Sequence, residues 1–248
     1  MTASAPTGAE DVDERKQALR ERTLAALQDA GVARFPGARG RIPNFTGAEA
    51  AAERLSETAR WRSATTVKSN PDAPQWPVRQ RALEAGKTVF MAVPRLRDEH
   101  PFVRLEPDAL SVSPRKASSI KGSSQHGIPT AVEYLEPVDI VVMGCVAVDR
   151  SGARLGKGGG FADLEFALAT AAGLIGPQAW VVTTVHPVQV IDEGRIPMTA
   201  HDVPLDAIIT PEDVITCASG RARPSGVLWD HLPKDKIAEI PLLRRMAP

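Results

Sequence analysis

Several things are scarce in this chain of 248 residues: it has two cysteines, one tyrosine, four tryptophans and six phenylalanines. Cys145 and Cys217 are too few for a disulfide framework, so the chain suits a reducing compartment and both thiols read as apolar fillers. Neither sign of charge is in excess, because 30 Lys+Arg face 30 Asp+Glu. Counterion release on a polyanion needs a surplus of basic side chains, and no aromatic RNA-binding signature stands in for it, so no nucleic-acid partner is expected. A basic pocket for one small anion is compatible with this balance. No apolar run approaches the roughly 18 residues of a bilayer crossing. The opening MTASAPTGAEDVDERK is polar and acidic rather than a basic stem with an apolar signal core. The expectation is a cytoplasmic protein with no membrane partner.

What is present is apolar material for a core, 43% of residues, punctuated by 21 prolines and 19 glycines. With no internal repeat, residues 12–248 read as one domain behind a disordered lead, 1–11. Apolar positions from Val12 to Ala30 recur at helical spacing and stop at Gly31, with Lys16 and Arg20 four apart on one face. Phe35–Gly47 reads as an irregular connection, Ala48–Ala59 as a helix, Thr65–Lys68 as a strand, Val78–Ala85 as a helix closed by Gly86, and Thr88–Val93 as a buried strand. Glu99–Glu133, rich in Ser, Pro and Lys, shows no sustained period and reads as a mobile lid or anionic-substrate loop carrying Arg115, Lys116, Lys121 and His126, or as an ordinary solvated insertion. Beyond it the pattern sharpens into a strand over Val138–Val148, a glycine loop, a helix over Phe161–Leu174, and strands at Trp180–Val185 and Asp206–Thr210. PEDV after the last reads as a helix start or turn, and the tail as a helix. Alternating strands and helices predict an α/β fold, a mainly parallel sheet covered on both faces.

The loop Gly156-Lys157-Gly158-Gly159-Gly160 lies between a strand and a helix, where backbone N–H groups can converge on a phosphate. Lys157 would add a cation, and Asp163 in the first helical turn could face a nucleotide's magnesium. The spacing matches neither GxxxxGK[ST] nor GxGxxG. For the glycines alone, a turn that merely needs positive φ accounts for the residues equally well.

LGKGGGFADLEF, preceded by VDIVVMGCVAVDRSGAR, resembles the signature of the 5-formyltetrahydrofolate cyclo-ligase (methenyltetrahydrofolate synthetase) family, most closely its branch of methenyltetrahydrofolate synthetase domain-containing proteins, which carry GKGxGxADLE. KQALR, GKTVFMAVPRL, VVTTVHPVQVID, HDVPLDAIITP and RPSGVLWDHL follow in the family's order, so the likeness spans roughly residues 12–246. It implies a three-layer α/β sandwich of the NagB/RpiA/CoA-transferase-like kind. It also implies ATP- and magnesium-dependent closure of 5-formyltetrahydrofolate to 5,10-methenyltetrahydrofolate through a phosphorylated formyl group. ATP and a reduced folate would be the ligands. On this likeness Lys16, Arg20, Gly156, Lys157, Gly158, Gly159, Gly160 and Phe161 would hold ATP, Asp163 and Asp202 would serve magnesium, with Asp206 a further candidate, and Lys157, Asp163 and His186 would be catalytic.

The pattern also departs from the ordinary enzymes. Phe161, Ala162, Asp163 and Leu164 stand where they carry Tyr-Tyr-Asp-Arg, and KSNPDAPQW lacks the glutamate that touches the pterin unless Asp72 replaces it. The nucleotide half is therefore better kept than the folate half. Two further readings stay open: the same ATP chemistry on another substrate, such as a thiamin-related or specialised metabolite, and a silent nucleotide- or folate-binding protein.

Overall fold

The computed structural model describes residues 8–37, 40–134, 136–218 and 220–248. Helix α1 (Gly8–Asp29) leads to a two-stranded ribbon, β1 (Ala33–Arg34) against β2 (Asn44–Phe45). Then come α2 (Ala48–Ser56), α3 (Ala59–Ser63), β3 (Thr66–Ser69), α4 (Trp76–Glu84), β4 (Thr88–Ala92), β5 (Phe102–Leu105), α5 (Pro114–Ala117), α6 (Ile120–His126), β6 (Ile128–Thr130) and β7 (Ile140–Val142). The second half has β8 (Ala147–Asp149), β9 (Arg154–Leu155), α7 (Phe161–Ala171), β10 (Trp180–Thr184), β11 (Val190–Ile191), β12 (Ala207–Ile209), β13 (Val214–Thr216), α8 (Lys234–Glu239) and α9 (Pro241–Met246).

The central sheet has the order β13-β12-β10-β7-β3-β4-β5-β6. Its middle, β12 to β4, is parallel, and both margins are antiparallel. Side chains alternate across it as a pleated strand requires. Phe90, Val141, Val181 and Ile208 face a core shared with α7 and α9. Their neighbours Val89, Met91, Ile140, Val142, Val182 and Ile209 face α2, α3 and α4 through Leu55, Trp61, Val78 and Leu83. Helices on both faces of the sheet make the expected three-layer α/β sandwich. The small sheet β11-β8-β9 packs against Leu19 of α1.

Four expectations need correction. Helix α1 already begins at Gly8, so residues 8–11 are not a disordered lead, while residues 1–7 lie outside the described residues. The expected helix over 48–59 breaks after Ser56, because Thr58 caps a new one, its side chain accepting from the Trp61 amide at 3.2 Å. The apolar run 138–148 is two strands in two sheets, parted at Gly144, whose N–H donates to the Asn70 side chain at 2.9 Å. A Cβ at Gly144 would stand 2.9 Å from a carboxylate oxygen of Asp72, so the corner leaves no room for a side chain.

The fourth correction concerns 99–133, which is framework rather than lid. β5 pairs antiparallel with β4, β6 with β5, and Phe102, Leu105 and Ala117 are buried. Its serines serve as helix caps: Ser113 accepts from the Lys116 amide and Ser119 from the Gly122 amide. Arg115 lies over the Trp76 ring, and both Lys121 and Lys116 are exposed. PEDV resolves from its two alternatives as a turn, in which Thr210 Oγ1 accepts from the amides of Glu212 and Asp213, before antiparallel β13. Cys145 and Cys217 are buried, and burial pushes their thiols up to about 11 and about 12, as apolar fillers require.

The tail is integral to the fold, since Ile240, Leu242 and Leu243 enter the core beneath α7. Leu243→Ala should cost about 2–5 kcal/mol in denaturant unfolding, against under about 0.5 kcal/mol for exposed Arg244→Ala next to it. Equal, small losses would show that the tail does not fold with the domain.

Candidate active site

Within the parallel sheet the chain runs from β3 to β4 on one side, then returns to lay β7 on β3's other side. The carboxyl ends of β3 and β7 therefore flank a topological switch point, where ligands of open α/β sheets collect. Asn70 and Asp72 follow β3 there, and Gly144 follows β7. Lys68 on β3 is almost wholly buried on the side facing α7, where its ammonium donates to Glu165 Oε2 at 2.7 Å. Asn70 Nδ2 donates to the same oxygen at 2.7 Å, and its carbonyl end holds the Gly144 amide. Gln75 is fully buried nearby; among the described residues its Oε1 has no hydrogen-bond partner, and its amide reaches Thr184 only at 3.4–3.5 Å.

The glycine loop runs directly into α7. Gly158 and Gly160 have φ of 104° and 65°, conformations that other residues resist, and Gly160 leaves the first N–H groups of α7 without a side-chain cap. Residues 157–160 are exposed. Four cations surround them. Arg20 Nε donates to the Gly156 carbonyl at 2.8 Å and its guanidinium lies over Gly158. Lys157 pairs with Asp72 at 3.2 Å. Arg154, buried, bonds the Asp163 carboxylate and the Val203 carbonyl. Lys236 of α8 donates to the Gly159 carbonyl at 2.7 Å. Beside the loop a cleft of about 520 Å³ opens against α1, lined by Gln17, Arg20, Arg41, Val146 and Lys157 among others.

The expected site residues are thus only partly brought together. Arg20, Gly156, Lys157, Gly158, Gly159, Gly160 and Phe161 share the loop region. Lys16 is buried and donates to Asp202 at 2.7 Å, so it ties α1 to the 199–202 turn and offers no free cation. Asp202 also accepts from the Thr199 amide and hydroxyl. Asp163 spends one oxygen on Arg154 and on the Val203 amide. Asp206 accepts from the Val181 amide and pairs with Arg223, a framework role. His186 is a cap: its Nδ1 accepts from the Val188 amide at 3.2 Å, its own amide donates to Gln189, and its ring meets Phe45 edge-on. Burial lowers its pKa, Glu212 opposing, so it is neutral at pH 7.

These donors do not fit a resident magnesium ion. Asp163 and Asp202 are each neutralised by a buried cation, and among the described residues no three His, Cys, Asp or Glu side chains gather to hold a metal. The loop, the uncapped start of α7 and Arg20, Lys157 and Lys236 do fit a polyphosphate, which needs N–H groups at a helix start and flexible cations. Sequence reasoning missed Lys68, Arg154 and Lys236. Lys68 stands among Thr66, Val67 and Ser69, so nothing in the strand's composition marked the first as buried. Nothing in the tail marked the last.

The model of the 5-formyltetrahydrofolate cyclo-ligase family matches residues 12–211. The chain belongs to this family. It is 37% identical over 233 residues to the methenyltetrahydrofolate synthase domain-containing protein of Mus musculus, covering 93% of this cyclo-ligase family chain and 63% of the relative. The chain thus spans about three fifths of the length of the methenyltetrahydrofolate synthase domain-containing relatives it matches. A 5-formyltetrahydrofolate cyclo-ligase of Mycolicibacterium smegmatis is 39% identical over 82 residues, 32% of this chain and 37% of that one. The solved 5,10-methenyltetrahydrofolate synthetase of Aquifex aeolicus superposes with a TM-score of 0.53 at 20% identity, over 84% of this chain and 95% of that one, a likeness of fold.

Two stability tests follow from the buried pairs. Glu165→Gln strands the Lys68 ammonium in the core and should cost about 3–5 kcal/mol in denaturant unfolding, whereas Lys68→Met with Glu165→Leu should restore most of it; equal losses in both would show that the charge pairing is not the determinant. For Asp202, burial works against ionisation but the bonds from Lys16 and Thr199 outweigh it, so its pKa is lowered. A lowered folded value means stabilisation that is full above about pH 4, the unfolded value, and lost as pH falls through the folded one. Asp202→Asn should therefore lower stability at pH 7 and shallow its fall below about pH 4; an unchanged acid limb would contradict the pairing.

Proposed function

We propose that this chain uses ATP to close the formyl group of 5-formyltetrahydrofolate, giving 5,10-methenyltetrahydrofolate, ADP and phosphate. The observation that carries the reading is the glycine loop opening α7 inside a ring of cations, beside the switch point of the sheet. An amide oxygen is a poor leaving group. In the proposed reaction the formyl oxygen attacks the terminal phosphorus and ADP departs; the neighbouring amine nitrogen then attacks the formyl carbon, loses its proton, and phosphate leaves. Loop N–H groups and the start of α7 would seat the phosphates, and Arg20 and Lys157 would neutralise charge on the group in transfer. Arg154 acts through Asp163, keeping the loop's exit in place. Magnesium would come with the nucleotide, since ATP-bound magnesium keeps waters and needs few protein ligands.

Asp72 and the unpartnered Gln75 Oε1 both lie close to Gly144. Asp72, half-buried after the end of β3, suits a heterocycle that presents N–H donors, as a reduced pterin does, and would stand in for the missing glutamate, whereas Gln75 is fully buried. A second substrate also has an observation in its favour. Leu164, at the position of the family's arginine, is buried in the core under α7, so that position offers no charge to a carboxylate or phosphate.

The test mixes protein, ATP, magnesium and 5-formyltetrahydrofolate, and follows methenyl absorbance in the near ultraviolet together with ADP. Both should appear in step, and Lys157→Ala should lower kcat/KM for ATP about tenfold to a hundredfold. ATP binding with neither product would reject the folate substrate, and ADP release with a different metabolite would select the second reading.

A further inference from the structure

The family match ends at residue 211, yet a cation from the tail sits on the loop. Residues 223–246 form a strap across α7. Ile240, Leu242 and Leu243 are buried in the core, and Val227, Trp229, Leu232 and Ile237 pack against it, so the strap is anchored on both sides of Lys236. From that fixed base the Lys236 ammonium donates to the Gly159 carbonyl at 2.7 Å and lies 4.8 Å over the Phe161 ring.

Three features set this ammonium apart from an ordinary surface lysine. One of its three donors is satisfied by Gly159, and among the described residues the other two have no acceptor. Burial lowers its pKa, with Glu239, Asp163 and Asp235 opposing, so it is a cation partly stripped of water that makes no direct ion pair among the described residues. Gly160 has no side chain in its way: a Cβ there would come within 3.3 Å of the ammonium. A cavity of about 120 Å³, lined by Gly160, Asp163, His201, His231 and Lys236 among others, gives the side chain room to turn. A half-buried cation with spare donors, held over the exposed glycines at a helix start, is arranged for a multiply charged anion.

We propose that the C-terminal strap is part of the nucleotide site and that Lys236 is a phosphate-binding residue, its ammonium donating to the terminal phosphate oxygens of a nucleoside triphosphate seated on the glycine loop. This rests on the reading that the loop takes a polyphosphate. The ligand contact would distinguish ATP from nucleotides with fewer phosphates, because the charge that Lys236 meets lies at the far end of the chain.

Binding of magnesium-ATP, AMP and inorganic tripolyphosphate is measured by calorimetry on the full chain, for the wild type, Lys236→Gln, Lys236→Arg and Lys234→Gln, an exposed neighbour on α8. Lys236→Gln should weaken ATP and tripolyphosphate about tenfold and AMP less than about twofold, Lys236→Arg should retain most of the affinity, and Lys234→Gln should match the wild type. Equal weakening of ATP and AMP, or none, would overturn the role of Lys236 and leave the loop's reading intact. A wild type that binds neither ATP nor tripolyphosphate would instead overturn the reading of the loop, and this inference with it.

Discussion

Helix α7 is held by charge from two directions, and the geometry of the loop depends on it. Asp163 and Glu165 are two residues apart, so they point to different sides of the helix. The first meets buried Arg154 of the small sheet, the second buried Lys68 of the central sheet. A charge taken out of water is costly unless paired with close geometry, so each carboxylate allows its cation one position. Together they set where α7 begins, and the loop that enters it has little freedom left. Asn70 extends the constraint by binding Glu165 at one end and the Gly144 amide at the other, which joins α7 to the switch point.

The same pairing resolves a tension in the composition. A chain with no net charge can still present a basic site when carboxylates near that site are paired with buried cations. Lys16, Lys68 and Arg154 are buried with carboxylates and act as framework. Arg20, Lys157 and Lys236 stay near the loop, held by backbone carbonyls, by Gln17 and, for Lys157, by the half-buried Asp72 carboxylate. What separates a structural cation from a ligand-binding one here is burial and partner type, which charge counting does not register.

Much of the fold was legible in the residues. Apolar strands such as Thr88–Ala92 and Trp180–Thr184, buried along nearly their whole length, and the glycine stops at Gly31 and Gly86 are local consequences of a sheet covered on both faces and of backbone sterics. The segment 99–133 was illegible for a physical reason. Serine caps a short helix and lines a loop with the same side chain, and only the pairing of β5 with β4 separates the two. The run 138–148 looked continuous because both of its strands are buried on all sides, so hydrophobicity does not change where the chain changes sheets.

The sequence by itself determined the layer architecture, the family, and the loop with its flanking Arg20 and Lys157, because each is written in adjacent residues or in ordered motifs. Tertiary structure alone decided the roles of the ionisable groups. Lys16 and Lys157 are both lysines near the motif, but one meets Asp202 across 186 positions in a buried site and the other lies open on the loop. His186 became a cap because the turn after β10 aims an amide at its Nδ1. Lys236 reaches the loop from 77 positions away because the strap's apolar residues are seated in the core on both sides of it. Partners that distant are chosen by packing, and packing is a property of the whole fold.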